Sequence, residues 1–249
     1  MVSGRGNAAA GTTLSLALFT ARARRCLAVL PLSFAFLAPP AARAQAPPAP
    51  AYHFVVVLNP AHGGTDFGAN LDGQPEKDYT LAFSTRLRSL LEARGISVVT
   101  TRQSDVRLTA TQRAEIANHA EAQACLTLHA SETGVGVHLF TSSLAPASPT
   151  LFEPWKTAQA AWITHSVALE GVLYSALQHA EIPVALGRTG LPAIDSMTCP
   201  AVAVEIAPDG AAAGSGSASG SLADPAYQAK VAAVLADALL EWRSEGPQL

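Results

Sequence analysis

Continuous runs of hydrophobic residues mark the predicted strands of this chain. The clearest runs are residues 54–58 (FVVVL), 124–130 (ACLTLHA) and 201–207 (AVAVEIA). Runs without polar alternation are typical of strands that are buried on both faces of a sheet. Segments 96–102 (ISVVTTR) and 136–143 (GVHLFTSS) are more mixed in composition, and we predict that they are strands as well.

Between these runs, apolar residues recur at the three- and four-residue spacing of a helix. In the first such segment Asp78 is the predicted N-cap and Gly95 the predicted end. The predicted helices cover residues 78–94, 110–122, 157–180 and 224–242. Strands that alternate with helices predict an α/β fold with a largely parallel sheet.

The first 44 residues have the pattern of a secretory signal peptide. Residues 1–25 contain four arginines and no acid, an apolar run covers residues 26–37, and an A-x-A sequence, the form of a cleavage site, ends at Ala44. The run contains Pro31 and is too short to span a bilayer. An N-terminal membrane anchor is the alternative interpretation.

The chain is therefore predicted to have three parts. We expect a signal peptide at 1–44, a proline- and alanine-rich linker at 45–53 and one folded domain at 54–243. Such a protein is exported, to the periplasm or to the outside of the cell. The 205 residues beyond the signal peptide are enough for a single domain with a sizeable core.

Charge and cysteine usage narrow the possible partners. Five of the 16 basic residues lie in the first 44 positions, which leaves 11 basic against 19 acidic residues and a formal charge of −8. This balance argues against nucleic acid and against an anionic membrane surface as partners. Export permits a disulfide between Cys125 and Cys199, and two buried free thiols are an equally open alternative.

Four residues with chemically reactive side chains are predicted to lie at one edge of the sheet, where its strands end. His62 follows the first strand, His129 ends the third strand, and Glu205 ends the last strand of the core. Functional groups collect at this edge of an open α/β sheet. Glu76 begins the first helix, from where its side chain reaches back toward the same edge.

These four residues suit a metal-assisted hydrolysis. Two imidazoles and one carboxylate are typical of Zn²⁺ in a catalytic site, because they leave coordination positions open for water and substrate. We predict that His62, Glu76 and His129 bind Zn²⁺ and that Glu205 acts as the acid/base. The choice of Zn²⁺ over another divalent ion depends on ligand type alone.

Neighbouring residues are predicted to support the site. Gly63 and Gly64 permit a tight turn beside His62. Asp66 and Asn59 are expected to orient an imidazole by accepting its second N–H.

The other polar residues receive no chemical role from the sequence. We expect Arg113 and Asn118 to make structural hydrogen bonds, and Arg188 either lines the site or is exposed. The remaining histidines are interpreted as surface or core residues: His53, His119, His138, His165 and His179.

The motifs follow one another in the order of a known family. The segments LNPAHGGTDFGA, EKDYTLAFSTRLRSLLEARGISVVTTRQSD, TQRAEIANHAEAQACLTLHAS, GVGVHLF and PAVAVEIA cover most of residues 54–243. They resemble the zinc-dependent N-acetylmuramoyl-L-alanine amidases of bacterial cell-wall turnover. The resemblance implies an α/β fold with a mixed, mainly parallel sheet flanked by helices. It also implies His62, Glu76 and His129 as zinc ligands and Glu205 as the catalytic acid/base.

The resemblance further implies the substrate. It is peptidoglycan, cleaved at the amide bond between the lactyl group of N-acetylmuramic acid and L-alanine, and an activator protein is a possible partner. The chain departs from the family pattern in three places: Asn59-Pro60-Ala61 stands where Asp-Pro-Gly is usual, Ser131 stands where Asn is frequent, and the segment after Glu205 lacks the usual Gly-Phe and Ser-Asn. A weak or inactive amidase that binds peptidoglycan is therefore the alternative. A zinc peptidase is disfavoured, because no H-E-x-x-H motif occurs and the predicted ligands His62 and Glu76 are fourteen positions apart.

Overall fold

The computed structural model describes residues 53–149, 154–209 and 221–245. The predicted signal peptide and residues 45–52 of the predicted linker lie outside these ranges. The strands are β1 Val55–Pro60, β2 Asn70–Leu71, β3 Gln74–Pro75, β4 Ser97–Thr100, β5 Ala124–Ala130, β6 Val137–Ser142, β7 Val184–Thr189 and β8 Ala201–Ile206. The helices are α1 Glu76–Ala93, α2 Ala110–His119, α3 Ile163–His179, α4 Pro192–Asp195 and α5 Pro225–Ser244, with a 3-10 helix at Trp155–Ala161.

Six strands form one mixed sheet in the order β4-β1-β5-β8-β6-β7. The pairs β4–β1, β1–β5, β5–β8 and β6–β7 are parallel, and β8–β6 is antiparallel. The predicted α/β fold with a mainly parallel sheet is confirmed. The reversal has a simple cause: only six residues separate β5 from β6, which is too few for the crossover that a parallel return requires.

Helices cover both faces of the sheet, which explains the continuous apolar runs. On one face Val56, Leu58 and Leu126 pack into a large core with α1, α3 and α5. On the other face Val57 and Cys125 join a smaller core with α2 and α4. Successive residues of each central strand therefore enter different cores.

Helix boundaries differ from the sequence prediction at three places. Helix α1 begins at Glu76, and Asp78 lies inside it, so the predicted Asp78 cap is wrong. Helix α2 ends at His119 rather than at residue 122, and it begins with a capping box in which Thr109 and Gln112 satisfy each other's backbone N–H groups. The predicted helix 157–180 is interrupted, because Thr157 has non-helical dihedrals and α3 starts only at Ile163.

Three elements were not predicted: the β2–β3 hairpin, strand β7 and the single turn α4. Strand β7 lies at the edge of the sheet, and its residues (VALGRT) are exposed or half-buried. An edge strand with little burial lacks the apolar run that identifies a central strand.

The fold contains a disulfide. Cys125 on β5 and Cys199 just before β8 form a disulfide, with 6.2 Å between their Cα atoms. Of the two alternatives that the sequence left open, the structure thus has the disulfide.

Within the described ranges, no helix combines the length and the hydrophobicity that crossing a bilayer requires.

Candidate metal centre

His62 lies in a tight loop that follows β1. Its own φ is 61°, and φ is 131° at Gly63 and 58° at Gly64. A Cβ atom on Gly63 would lie 2.2 Å from the carbonyl oxygen of Val106. The loop therefore requires glycine at this position, both for its left-handed backbone and for the close approach of another segment.

Two charged residues hold the loop from outside. The Asp105 carboxylate accepts the backbone N–H of Gly64 at 2.7 Å and the ammonium group of Lys77 at 2.7 Å. Lys77 Nζ also donates to the carbonyl oxygen of Gly64 at 2.9 Å. The hydrogen bond from Lys77 lowers the pKa of Asp105. These contacts fix the turn that presents His62 to the sheet edge.

His62, Glu76 and His129 come together at the carboxyl ends of β1 and β5. One potential ligand atom from each lies within 4.8 Å of the other two. His62 Nε2 is 3.0 Å from Glu76 Oε2, and His129 Nδ1 is 2.8 Å from Glu76 Oε1. The side chain of Glu76 is 6% exposed, whereas those of His62 and His129 are 21% and 33% exposed. The carboxylate is thus the buried member, and the imidazoles face the solvent side.

The hydrogen bonds of His62 test whether a cation fits between these groups. Its Nδ1 is 2.8 Å from Asp66 Oδ1, and its Nε2 faces Glu76. A neutral imidazole has a single N–H and cannot donate to both carboxylates. A divalent ion removes the conflict, because Nε2 then offers its lone pair while Nδ1–H stays with Asp66. The donor set therefore fits a metal ion.

Contacts within the trio shift the pKa values of His62 and Glu76. The hydrogen bond to Glu76 is the main cause that raises the pKa of His62, and the bond to Asp66 adds to it. Burial alone would raise the pKa of Glu76, but hydrogen bonds from both imidazoles and from the Ala69 N–H outweigh burial and hold that pKa well below its usual range. Glu76 is thus an anion, as a metal ligand must be.

Asn59 has a different role from the predicted one. Its Oδ1 accepts hydrogen bonds from Thr101 Oγ1 at 2.7 Å and from Arg113 Nη1 at 2.8 Å, and its Nδ2 donates to Thr127. It contacts neither imidazole among the described hydrogen bonds, so the prediction that Asn59 orients a histidine is wrong. The prediction for Asp66 is confirmed by its contact with His62 Nδ1.

Arg113 connects Asn59 to the loop that contains His62. Its guanidinium donates to the carbonyl oxygens of Pro60 at 2.7 Å and of His62 at 2.6 Å. Burial lowers the pKa of Arg113 to about 10, so it remains charged at neutral pH. Asn118 binds the backbone of Ser196 and Thr198. The structural roles predicted for Arg113 and Asn118 are confirmed.

Glu205 lies beside the trio because of the sheet register. It pairs with His129 across the parallel β5–β8 ladder and with His138 across the antiparallel β8–β6 ladder. Paired residues of adjacent strands lie about 4.8 Å apart and point to the same face. His129, Glu205 and His138 therefore form one row across three strands.

His138 is a site residue that sequence reasoning missed. Its Nδ1 is 2.8 Å from Glu205 Oε1, and its side chain is only 15% exposed. The interpretation of His138 from the sequence as a surface or core histidine did not foresee its contact with Glu205. The only signal in the sequence was its place in a predicted strand. The partner of that strand follows from the order of the sheet and could not be read from residues 136–143.

A cavity of about 350 Å³ borders His62 and His129 on the side of α2 and α4. His62, Asp66 and His129 form its polar wall. Its apolar wall consists of Leu108, Ala110, Leu191, Pro192, Ala193 and Ile194. Arg188 does not line this cavity, and its guanidinium donates to the carbonyl oxygens of Ser142 and Leu144. The three residues that could hold a metal ion thus lie beside a largely apolar pocket.

Solved structures with this fold include cell-wall amidases. The catalytic domain of CwlV, an amidase of Bacillus (Paenibacillus) polymyxa var. colistinus, superposes with a TM-score of 0.58 at 24% identity, over 77% of this chain and 98% of that one. The CwlD amidase of Clostridioides difficile, solved in complex with the GerS lipoprotein, has a TM-score of 0.57 at 19% identity, over 78% of this chain and all of that one. Likeness at this level of identity establishes the fold.

Sequence comparisons identify the family. The N-acetylmuramoyl-L-alanine amidase CwlM of Bacillus licheniformis is 37% identical over 81 residues, which are 32% of this chain and 32% of that protein. The alignment thus spans about a third of the relative. A family model described as N-acetylmuramoyl-L-alanine amidase matches residues 56–241, most of the chain. The chain therefore belongs to the N-acetylmuramoyl-L-alanine amidase family.

Proposed function

We propose that this protein is a zinc-dependent N-acetylmuramoyl-L-alanine amidase. It hydrolyses the amide bond between the lactyl group of N-acetylmuramic acid and L-alanine in peptidoglycan. His62, Glu76 and His129 bind the metal, and Glu205 is the catalytic acid/base. The observation that carries the proposal is the position of Glu205 on the strand next to His129, in register with it and beside three converging ligands.

Each residue of the site has a distinct task. The trio would hold Zn²⁺, which would serve as a Lewis acid for the amide carbonyl and would make a bound water more acidic. Asp66 holds the Nδ1 proton of His62, so that Nε2 is available as a ligand. Glu205 takes the proton of the attacking water and delivers it to the nitrogen of the leaving L-alanine.

The pocket beside the trio is suited to the groups around the scissile bond. Both the lactyl group and L-alanine carry a methyl group next to the amide. The wall formed by Leu191, Pro192 and Ile194 offers apolar surface to such groups, and His62 and His129 line the same cavity. Contact of these methyl groups with the apolar wall would orient the scissile amide bond beside the metal.

The protein acts outside the cytoplasm in this proposal. The signal-peptide pattern of residues 1–44 supports export to the periplasm or secretion. The disulfide between Cys125 and Cys199 is compatible with an oxidising compartment. Because CwlD was solved together with the GerS lipoprotein, the test below includes the possibility that an activator protein is required.

Digestion of purified peptidoglycan tests the proposal, with products identified by mass spectrometry. We expect free stem peptides that begin with L-alanine. Their release should stop when a chelator removes the metal and return with Zn²⁺. The Glu205→Gln variant should retain one zinc per chain and release peptide only at a small residual rate, whereas the matched variant Glu115→Gln, at an exposed position of α2, should behave as the wild type.

Two results would contradict the proposal. Cleavage at a different bond would exclude this amidase activity. Binding of zinc and peptidoglycan without any peptide release, also after addition of an extract of the producing cell's envelope as a source of activator, would instead indicate a peptidoglycan-binding protein.

A further inference from the structure

His138 is tied to Glu205 by a direct hydrogen bond. The two residues face each other across the antiparallel β6–β8 ladder, and His138 Nδ1 lies 2.8 Å from Glu205 Oε1. Both are partly shielded from solvent, with side-chain exposures of 15% for His138 and 30% for Glu205. Both partners of this hydrogen bond therefore lie on paired strands of the sheet, and neither lies on a loop.

The chain makes specific room for the His138 ring. Gly134 lies against it with φ of 86°, and a Cβ atom there would be 2.3 Å from His138 Cε1 and 2.6 Å from its Nε2. The ring of Phe140 packs edge-on at 6.5 Å between centroids, with an interplanar angle of 85°. Gly134 and Phe140 thus both lie against the ring whose Nδ1 points at Glu205.

The direction of the hydrogen bond follows from the chemistry of Glu205. An ionised carboxylate only accepts hydrogen bonds, so Nδ1 must carry the proton. Oε1 of Glu205 is then occupied by His138, and Oε2 is left to face the reaction. A carboxylate held at one oxygen cannot rotate freely, which keeps the other oxygen aligned for proton transfer.

We propose that His138 is the positioning residue of the acid/base Glu205. It acts through Glu205 and touches neither the metal nor the substrate. This inference rests on the proposed function, because it assumes that Glu205 transfers the proton during hydrolysis. It goes beyond that function in assigning to His138 the orientation of the catalytic carboxylate.

Kinetics of three variants test the role of His138. In His138→Ala we expect kcat to fall about 100-fold while KM changes by less than about twofold, since a misaligned group costs rate rather than binding. Zinc content should remain one per chain. His138→Asn places an N–H donor near the position of Nδ1 and should recover most of the lost kcat. His119→Ala, at an exposed site near the end of α2, is the matched control.

A double variant separates positioning from general structural damage. If His138 acts only through Glu205, then His138→Ala should cause no further loss of residual activity in the Glu205→Gln background. A loss of similar size in both backgrounds would overturn the proposal, and so would an unchanged kcat in His138→Ala.

Nuclear magnetic resonance of the ¹⁵N-labelled, zinc-loaded protein tests the contact without any activity. We expect His138 to be protonated at Nδ1, with its imidazole signals moved by Glu205→Gln and unmoved by Glu115→Gln. Protonation at Nε2 alone would overturn the proposal even if the protein cleaves peptidoglycan. A wild type that releases no peptide but has the expected Nδ1–H signal would instead count against the proposed function.

Discussion

At the scale of single residues, Glu76 links the two histidines of the metal centre. It is buried, it contacts His62 and His129 through different oxygens, and it accepts backbone N–H groups of Ala69 and Ala130. These four contacts hold the carboxylate in place before any metal arrives. Glu76 supplies the negative charge of the trio, and a neutral side chain at this position cannot supply it.

Replacement of Glu76 tests the metal site. Glu76→Gln keeps the size of the side chain and removes its charge, so we expect the affinity for Zn²⁺ to fall by more than about 100-fold, above the effect usual for residues that only support a ligand. Competition with a chromophoric chelator measures this affinity. Glu92→Gln, at an exposed position near the end of the same helix, is the control. Equal zinc affinity in both variants would exclude Glu76 as a ligand.

Asn59 offers a second test at this scale, directed at stability. Asn59→Ala leaves buried Arg113 and Thr101 without their acceptor and should lower the free energy of unfolding by about 1–3 kcal/mol. Asn59→Asp keeps an acceptor oxygen for both donors, and the Thr127 hydroxyl can donate to the second oxygen instead of accepting from Nδ2, so this variant should stay within about 1 kcal/mol of the wild type. Urea unfolding followed by circular dichroism compares the two. Equal losses would show that the hydrogen bonds to Oδ1 do not matter.

At the scale of elements, the ends of β1, β5 and β8 assemble the site. The disulfide between Cys125 and Cys199 joins β5 to the segment that leads into β8, next to the turn α4 that lines the pocket. Residues on α4 are also fixed by hydrogen bonds, since Asp195 accepts from Ser142 Oγ and from the Leu191 N–H. The apolar wall of the pocket is thus held by covalent and polar contacts together.

Removal of the disulfide should reduce stability. The two cysteines are 74 positions apart, so Cys125→Ala/Cys199→Ala releases a long loop in the unfolded chain and should cost about 2–4 kcal/mol. Chemical unfolding with and without a reducing agent measures the effect. The reducing agent should destabilise the wild type and leave the double variant unchanged. Identical behaviour of the two proteins would mean that the thiols are not linked in solution.

At the scale of the whole molecule, most polar side chains of the core have partners, and Glu170 on α3 is an exception. It is buried, and its Oε1 has no hydrogen-bond partner in the described part of the chain. Burial raises the pKa of Glu170 to about 7, although Arg188 opposes the shift. The folded protein therefore holds a proton at Glu170 that the unfolded chain releases near pH 4.5.

This difference predicts how stability depends on pH. Between about pH 4.5 and 7 the unfolded state binds fewer protons at Glu170 than the folded state, so its contribution to stability falls as the pH rises through this window. Glu170→Gln removes the titration. Its melting temperature should match that of the wild type at pH 4.5 and exceed it at pH 8. Glu241→Gln, exposed on α5, should show no such difference, and parallel pH curves for Glu170→Gln and the wild type would refute the account.

The central strands and the approximate helices could be predicted from the sequence, because they depend on the local spacing of apolar residues. It also placed His62, His129 and Glu205 at strand ends, where a parallel sheet gathers them at one edge. The choice between Asp66 and Asn59 was not available from the sequence. Both lie a few residues from His62, and the path of the turn decides which one reaches the imidazole.

Only the tertiary structure decided the contacts between distant strands. The reversal after β5 places β6 against β8, and the register of that pair brings His138 to Glu205, 67 positions away in the chain. The same folding joins Cys125 to Cys199. Such pairings depend on strand order and register, which arise from packing of the whole sheet, whereas hydrophobic periodicity reports only what each segment buries.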